Sequence, residues 1–593
     1  MPLFAFLKDP RLLVGLAAGA AALVLFYLVA LPAMLARIDL QGALERTLAD
    51  WTGAEVDLAG PPSLALWPHP TLTLSGVTLR PPGEAEPIAT IGRVEAEFDL
   101  GSAFLGLPEF DAFVLTDPVV TLARSADGRL NWPGGTPLAR AFADAADGRA
   151  DGEQPPIGKI TVENGAVSLE GFGEGPTRMS AIEGVLRWPR PDARLSLRAR
   201  ATLNGQTVDL RLASDAPARL FSGSGSSLDI DLTAPLMALA FEGTAGFGAN
   251  GFGEGHLQFS SPSLRKLAGW LAGELPETPE SEGRPLTADA TVTMTGGTMR
   301  LDTLQMTLGT AVATGVLDLQ DITGAMPRLI GTLAFDTVDL QALVPSGAPV
   351  RIPPVLGHVG LDLRVSANRL VAGALALTDV AAGVMVDARG TVVDIGDATL
   401  AEGTLTGRLL RPRDGAEPGR LTALLKDADL AELPGLAALD GPRLAGRGDL
   451  QAELSIATLL SGGAPQGVSG RLRLSGLNGR IEHVDVPAFV DRATGGGFFP
   501  LSAASAGAFA FTTLDMDASV DGGTITLEGA RAEGTEGVLT LSGVLRPANG
   551  SVALAGRLNP AVGPLTGGSV RFFAGGAWPD LTITPLSVLS EAP

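Results

Sequence analysis

From Leu286 to Met294 every second residue is apolar: Leu286, Ala288, Ala290, Val292 and Met294 alternate with Thr287, Asp289, Thr291 and Thr293. Side chains alternate across a strand with period two, so the stretch reads as a β-strand with one oily and one polar face. Gly296-Gly297 supplies a turn. The return run carries Met299 and Leu301 on the apolar side, and then Leu304, Met306 and Leu308. That change of parity calls for a bulge or bend near Asp302-Thr303. Val312 to Leu319 closes the unit. The pattern recurs near the end of the chain, where Leu514, Met516, Ala518 and Val520 alternate with polar residues, Asp521-Gly522-Gly523 turns, Ile525 and Leu527 return, and Leu539, Leu541 and Leu545 follow. A weaker copy runs from Leu361 to Leu410, with a turn at Ala401-Glu402-Gly403. Repeated meanders of this kind predict a mainly β fold, an elongated antiparallel sheet that grows by adding rungs.

An apolar face repeated over many strands must be hidden from water by a helix layer, by a second sheet, or by curling around a ligand. Beyond residue 52 the sequence offers too few amphipathic helices to cover it. A closed sandwich is one solution. A curled sheet groove, in which acyl chains lie on aliphatic side chains, is the other. Its predicted lining includes Val292, Met294, Met299, Leu301, Leu304, Met306, Leu308, Leu514, Met516, Ile525, Leu527, Leu539 and Leu541.

Composition narrows the partners. Apolar residues make up 45% of the 593 residues and charged residues 18%, which favours folding over disorder. Positive residues number 43 against 65 negative ones, a net charge of −22. Nucleic acid is therefore excluded as an expected partner, because binding phosphates needs a basic surface. The same acidity repels anionic headgroups, so membrane attachment requires a hydrophobic segment. Such a segment is present from Leu12 to Ala36, where 25 residues carry no charge. That length suffices to cross a ~30 Å hydrocarbon layer as a transmembrane helix. Lys8 and Arg11 precede it, which predicts a cytoplasmic N-terminus, a bias that Arg37 on the far side weakens. The expected organisation is then a tail at 1–11, the span at 12–36, β regions at 38–142, 157–273 and 286–593, and linkers at 143–156 and 274–285. Leu40, Leu44, Leu48 and Trp51 fall at helical spacing, as do Leu264, Leu267, Ala268, Trp270 and Leu271, the latter a lid, a plug or a connecting helix.

Motifs for catalysis are sparse, and the expectation is a protein that is not an enzyme and uses no cofactor or metal. His69, His256, His358 and His483 lack paired ligand spacing. GFGEG at Gly171–Gly175 and Gly251–Gly255 lacks the lysine, helix and βαβ setting of a phosphate loop. Asp515 and Asp517 sit on the polar side of a predicted strand. There are no cysteines, so disulfides and thiolate chemistry are ruled out.

Several segments, taken in order, resemble the AsmA family. After the apolar run come Pro62-Ser63-Leu64-Ala65-Leu66-Trp67-Pro68, then Thr71 to Leu79 (TLTLSGVTL), then Val114 to Leu122 (VLTDPVVTL) and Asp127-Gly128-Arg129-Leu130-Asn131-Trp132. Leu400 to Gly407, Leu474 to Val486 and Gly576-Ala577-Trp578-Pro579 add to the likeness. The resemblance implies an inner-membrane anchor holding a periplasmic, taco-like β groove that conducts phospholipid toward the outer membrane. It also admits a scaffold that assists assembly of outer-membrane proteins. It carries over no catalytic residue.

Overall fold

The computed structural model describes residues 39–589 except 85, 106–107, 124–130, 133–138, 141–142, 145–156, 172–176, 248–250, 272–283, 323–326, 341–358, 374, 414–416, 434–440, 459–465 and 562–567, together with the isolated positions 19, 22 and 34. The expected span at 12–36, most of both linkers and the Asp127–Leu130 part of the family-like motif lie outside the described residues. Among those described, no helix is long and apolar enough to cross a membrane. The chain divides into two compact units, the first built mainly from residues up to Ser261 and the second mainly from Gly297 onward.

The first unit opens with helix α1 (Leu40–Thr52). Asp39 caps it by accepting a hydrogen bond from the Gly42 amide, and Gly53 ends it in the left-handed conformation. Leu40 and Leu44 are buried, as the helical spacing predicts. The strands are β1 (Glu55–Leu58), β2 (Ser63–Ala65), β3 (Thr71–Arg80), β4 (Ala89–Phe98), β5 (Phe110–Ala123), β6 (Gly158–Glu170), β7 (Thr177–Trp188), β8 (Leu195–Leu203), β9 (Gln206–Ser214), β10 (Ser226–Ala234), β11 (Met237–Gly246) and β12 (Phe252–Ser261). Short helices α2 (Leu100–Phe104) and α3 (Pro217–Ser222) fill two connections. Strands β1 and β2 share one edge of β3, and the ladder then runs in chain order to β12.

Helix α4 (Leu264–Leu271) and strand β13 (Leu286–Thr295) follow. Trp270 is 1% exposed; its indole donates to the Leu203 carbonyl at 2.8 Å, and its own carbonyl accepts from Asn204. It closes the turn between β8 and β9. The second unit continues with β14 (Thr298–Leu308), β15 (Ala311–Gln320), β16 (Arg328–Asp339), β17 (Gly360–Ala372), β18 (Leu375–Asp387), β19 (Gly390–Leu400), β20 (Gly403–Pro412), β21 (Gly419–Asp429), β22 (Arg443–Thr458), β23 (Gln466–Glu482), helix α5 (Val486–Thr494), β24 (Phe499–Pro500), β25 (Ala508–Asp521), β26 (Thr524–Gly534), β27 (Gly537–Arg546), β28 (Ser551–Pro560), β29 (Ser569–Ala577) and β30 (Asp580–Leu589). Neighbours in sequence pair from β14 to β23, β25 follows β23, and the two-residue β24 lies on β30.

The mainly β reading with few helices holds, but the expectation of a purely antiparallel sheet needs correction. β5 pairs with β6 in parallel, and β16 with β17 likewise. Parallel neighbours need a long connection to carry the chain back to the starting end. Residues 124–157 and 340–359 supply these connections, far longer than two-residue turns such as Asn204-Gly205 and Gly296-Gly297. Both parallel seams carry the same device. Asn164 donates to Asp117 at 2.5 Å, and Asn368 donates to Asp336 at 3.0 Å.

These residues sit where the strands change parity. The shift called for at Asp302-Thr303 is present as a break in register between Leu301 and Leu304, with Thr303 at φ 49°. Asp117, Asn164, Asp379, Asp427 and Asn478 take left-handed φ of 50–53° inside strands in the same way. Asn and Asp tolerate that region better than other residues with a Cβ, which explains their placement. Replacing Asp379 with Val is expected to destabilise the β17–β18 region by about 1–2 kcal/mol, and with Gly far less. Amide exchange at Val365–Ala367 and Val380–Ala382 checks this: the valine variant should lose protection and the glycine variant keep it.

Candidate functional site

In the second unit the register aligns the apolar positions into rows that cross strand after strand. One row reads Leu301, Leu317, Gly331, Leu363, Val384, Val393, Leu409, Leu421, Leu454, Gly470, Val520, Ile525, Leu545 and Val552 from β14 to β28. Its neighbour runs from Leu304 through Leu333, Val365, Ala382, Ile395, Ala423, Ala452, Leu472 and Ala518 to Leu527 and Leu554, with glycine at the remaining places. Cross-strand partners share a face, so these rows form one aliphatic surface. The opposite face carries Thr332, Arg364, Asp394, Arg408, Thr422, Glu453, Arg471, Ser519 and Thr526 in one register line. Exposed ion pairs tie it together, among them Arg408–Asp394 at 3.5 Å and Arg473–Asp517 at 2.7 Å. The Arg473 guanidinium is held above its usual value by its hydrogen bond to Asp517 and by that carboxylate's charge.

The predicted lining residues fall into three groups. Val292 and Met294 are on β13, where Val292 is buried and Met294 lies over Gly253 of β12. Met299, Leu301, Leu304, Met306 and Leu308 share one face of β14, opposite Leu319, Leu317, Gly315, Ala313 and Ala311. Leu514, Met516, Ile525, Leu527, Leu539 and Leu541 share one face of β25–β27. Leu304, Leu514 and Leu527 are buried and the others on β14 and β25–β27 half-buried.

What covers them differs along the unit. Over the last strands, α5 turns Val486, Phe489, Val490 and Ala493 onto the apolar face, and Leu514 and Leu527 belong to that core. Phe489 meets Phe572 edge-on at 4.9 Å and Phe499 at 5.5 Å. Here the strip is filled by the protein's own side chains. Phe572 also lies across Gly556, where an added Cβ would strike its ring. Over β14–β18 the clusters around Leu304 and Leu333, and around Val338, Ala367 and Val380, draw only on strand residues among those described, whereas Leu425 and Ala428 of β21 belong to the core that α5 joins. Val365, Ile395, Leu409, Leu421 and Leu454 remain half-buried. They complete the rows, and the alternation in LTALLKDAD and DLQAELSIA was the available signal for the last two.

The residues weighed for chemistry are scattered. His69 lies in the connection from β2 to β3, His256 on β12, His483 at the end of β23, and His358 outside the described residues. The second GFGEG enters β12, where Gly255 faces Gly243 and the Phe241 ring packs over both. The first lies outside the described residues beyond Gly171. Asp515 and Asp517 are exposed on the polar face. Among the described residues no group of three or more His, Asp or Glu is placed to hold a metal ion. Asn131, from the family-like motif, turns back on β5: its side chain accepts from the Ala123 amide and donates to the Thr121 carbonyl, both at 2.9 Å.

Compared with protein-family models, curated proteins and solved structures, the chain matches none.

Removing the plug aromatic should open a cavity. Phe489→Ala is expected to cost about 3–5 kcal/mol, and Gly556→Val about 1–3 kcal/mol through overpacking against Phe572. Calorimetry of the full chain should show both variants lowering the second unit's transition, Phe489→Ala more.

Proposed function

We propose that the chain is an AsmA-like, membrane-anchored lipid-handling protein of the bacterial envelope, whose second unit holds phospholipid acyl chains on its aliphatic face. In this reading residues 12–36 anchor it in the inner membrane, the β units lie in the periplasm, and phospholipid passes passively toward the outer membrane. The observation that carries the reading is the continuous, half-buried aliphatic rows over β14–β21 backed by a charged face. Half-exposed Val, Ile and Leu side chains in register keep an unfavourable contact with water that acyl chains would relieve, at ~0.8 kcal/mol per methylene buried. Such a grip is non-directional and tolerant of chain length. It needs no ionisable group. The order of family-like segments from Pro62 to Pro579 supports the same assignment.

Crosslinking and bound-lipid analysis test it. A photoreactive residue at Ile395 or Leu421 is expected to crosslink phospholipid, and one at Arg408 or Thr422 on the opposite face is not. Ile395→Asp with Leu421→Asp should lower co-purified phospholipid several-fold in mass spectrometry while expression persists. Equal crosslinking from both faces, or unchanged lipid in the double variant, would overturn the proposal. Absence of lipid together with trapped outer-membrane β-barrel clients would instead assign the chain as an assembly scaffold.

A further inference from the structure

The first unit places most of its exposed large apolar side chains at one end of its strands. From Asp39 onward the exposed ones are Trp67 (79% exposed), Phe104 (44%), Leu105 (83%), Val119 (47%), Phe221 (42%), Phe247 (48%) and Leu271 (50%). All but Val119 lie in connections rather than strands. The ladder shows that these connections, except that of Leu271, share an end. The start of β3 pairs with the end of β4 at Thr71–Glu97, and Phe98 of β4 with Phe110 at the start of β5. The parallel seam places the start of β6 beside the start of β5, and Gly158 then pairs with Trp188 at the end of β7. Leu195–Ser214 and Ser226–Ala245 extend the same end through β8–β11. Trp67 precedes β3, Phe104 and Leu105 lie between β4 and β5, Phe221 between β9 and β10, and Phe247 after β11.

The rim is partly organised. Trp188, Phe221 and Phe247 form a run of rings at 6.4 and 6.1 Å, and the Phe247 amide donates to the Leu220 carbonyl at 2.7 Å. It carries two ion pairs, Arg190 with Asp192 at 3.4 Å and Arg194 with Asp215 at 3.6 Å. At the other end, the turns at Pro81–Glu84, Asn204-Gly205 and Pro235-Leu236 present no large exposed apolar side chain of their own, and Leu271, next to Trp270 of α4, is the exception there among the described residues. Leu40 and Leu44 of α1, which follows the uncharged run at 12–36, are buried in the same core as Leu66, Leu100 and Ala103 from the rim connections.

We infer that this rim is a membrane-contact surface whose Trp67, Phe104, Leu105, Phe221 and Phe247 enter the interfacial layer of a lipid bilayer. Separate loops tipped with Trp, Phe and Leu, spread over a contour of about 40 Å at ~4.8 Å per strand, suit a planar, fluid partner better than a compact protein epitope. Aromatic side chains partition to the headgroup level, and acidic and basic residues are mixed along the rim, so it needs no anionic lipid. The bilayer is specified by the 25 uncharged residues directly upstream of α1. The inference rests on the anchored reading above and adds a face to it. It gives the first unit a fixed end at the bilayer, where a lipid would enter.

The chain has no cysteine, so single labels can be placed cleanly. Full-length variants Leu105→Cys, Phe247→Cys, Glu84→Cys and Ala22→Cys, each carrying an environment-sensitive fluorophore, would be reconstituted into phosphatidylcholine–phosphatidylethanolamine vesicles with spin-labelled acyl chains. Labels at 105 and 247 are expected to be quenched several-fold more than the label at 84. Failure of 105 and 247 to exceed 84 overturns the rim, whatever position 22 shows. Quenching at 22 alone removes the rim and leaves the anchored reading standing, whereas absence of quenching at 22 removes the anchor as well.

Discussion

A strand presents alternate residues to opposite sides, and a slip of one residue between neighbours exchanges the sides. Every feature of the second unit depends on that constraint. Its aliphatic rows exist because Leu363, Val384, Val393, Leu409 and Leu421 meet in register across five strands, with Arg364, Asp394, Arg408 and Thr422 held to the other face. Where the sequence steps out of phase the backbone absorbs the step, at Thr303, Asp379 and Asp427, in a conformation that short polar side chains tolerate. Asp and Asn thus preserve the face rather than decorate it.

The two parallel seams apply the constraint differently. A parallel pair keeps equal residue steps on both strands, so a parity change on one must be matched on the other. Asp117 beside Asn164, and Asp336 beside Asn368, meet it with one side-chain hydrogen bond each. The long connections at 124–157 and 340–359 are what make the seams possible. An apolar face kept in register then has two fates within the second unit. Near the end of the chain α5 covers it with Phe489 and its neighbours, in a core that reaches Leu425 and Ala428 of β21, and over β14–β18 the clusters draw only on strand residues among those described. The first unit treats its ends unequally, with several apolar side chains on the connections at one end and, at the other, turns that carry none beside the exposed Leu271 of α4.

Much of this was readable in the chain. Alternation in LTADATVTM and LDMDASV marked strands and faces, Gly296-Gly297 and Gly522-Gly523 marked turns, and the parity change at Asp302-Thr303 located a bulge to the residue. Leu40, Leu44, Leu48 and Trp51 marked α1. The parallel seams were not readable, because β16 and β17 alternate alike in either direction and only the pairing reveals it. Nor was the plug, since Phe489, Phe499 and Phe572 are distant in sequence and belong to a helix, a two-residue strand and a long strand. Leu514 and Leu527 therefore looked no different from Leu301 or Met306, although the first pair belong to the core that α5 joins.

The sequence by itself determined that the chain is mainly β, where most strands turn, and which side chains share a face, because a period of two is a local property of the backbone. Only the tertiary structure decided which strands run parallel, which stretch of the apolar face α5 fills, and that Trp67, Leu105, Phe221 and Phe247 meet at one end. Those outcomes depend on which distant segments pack together, and no local pattern encodes that.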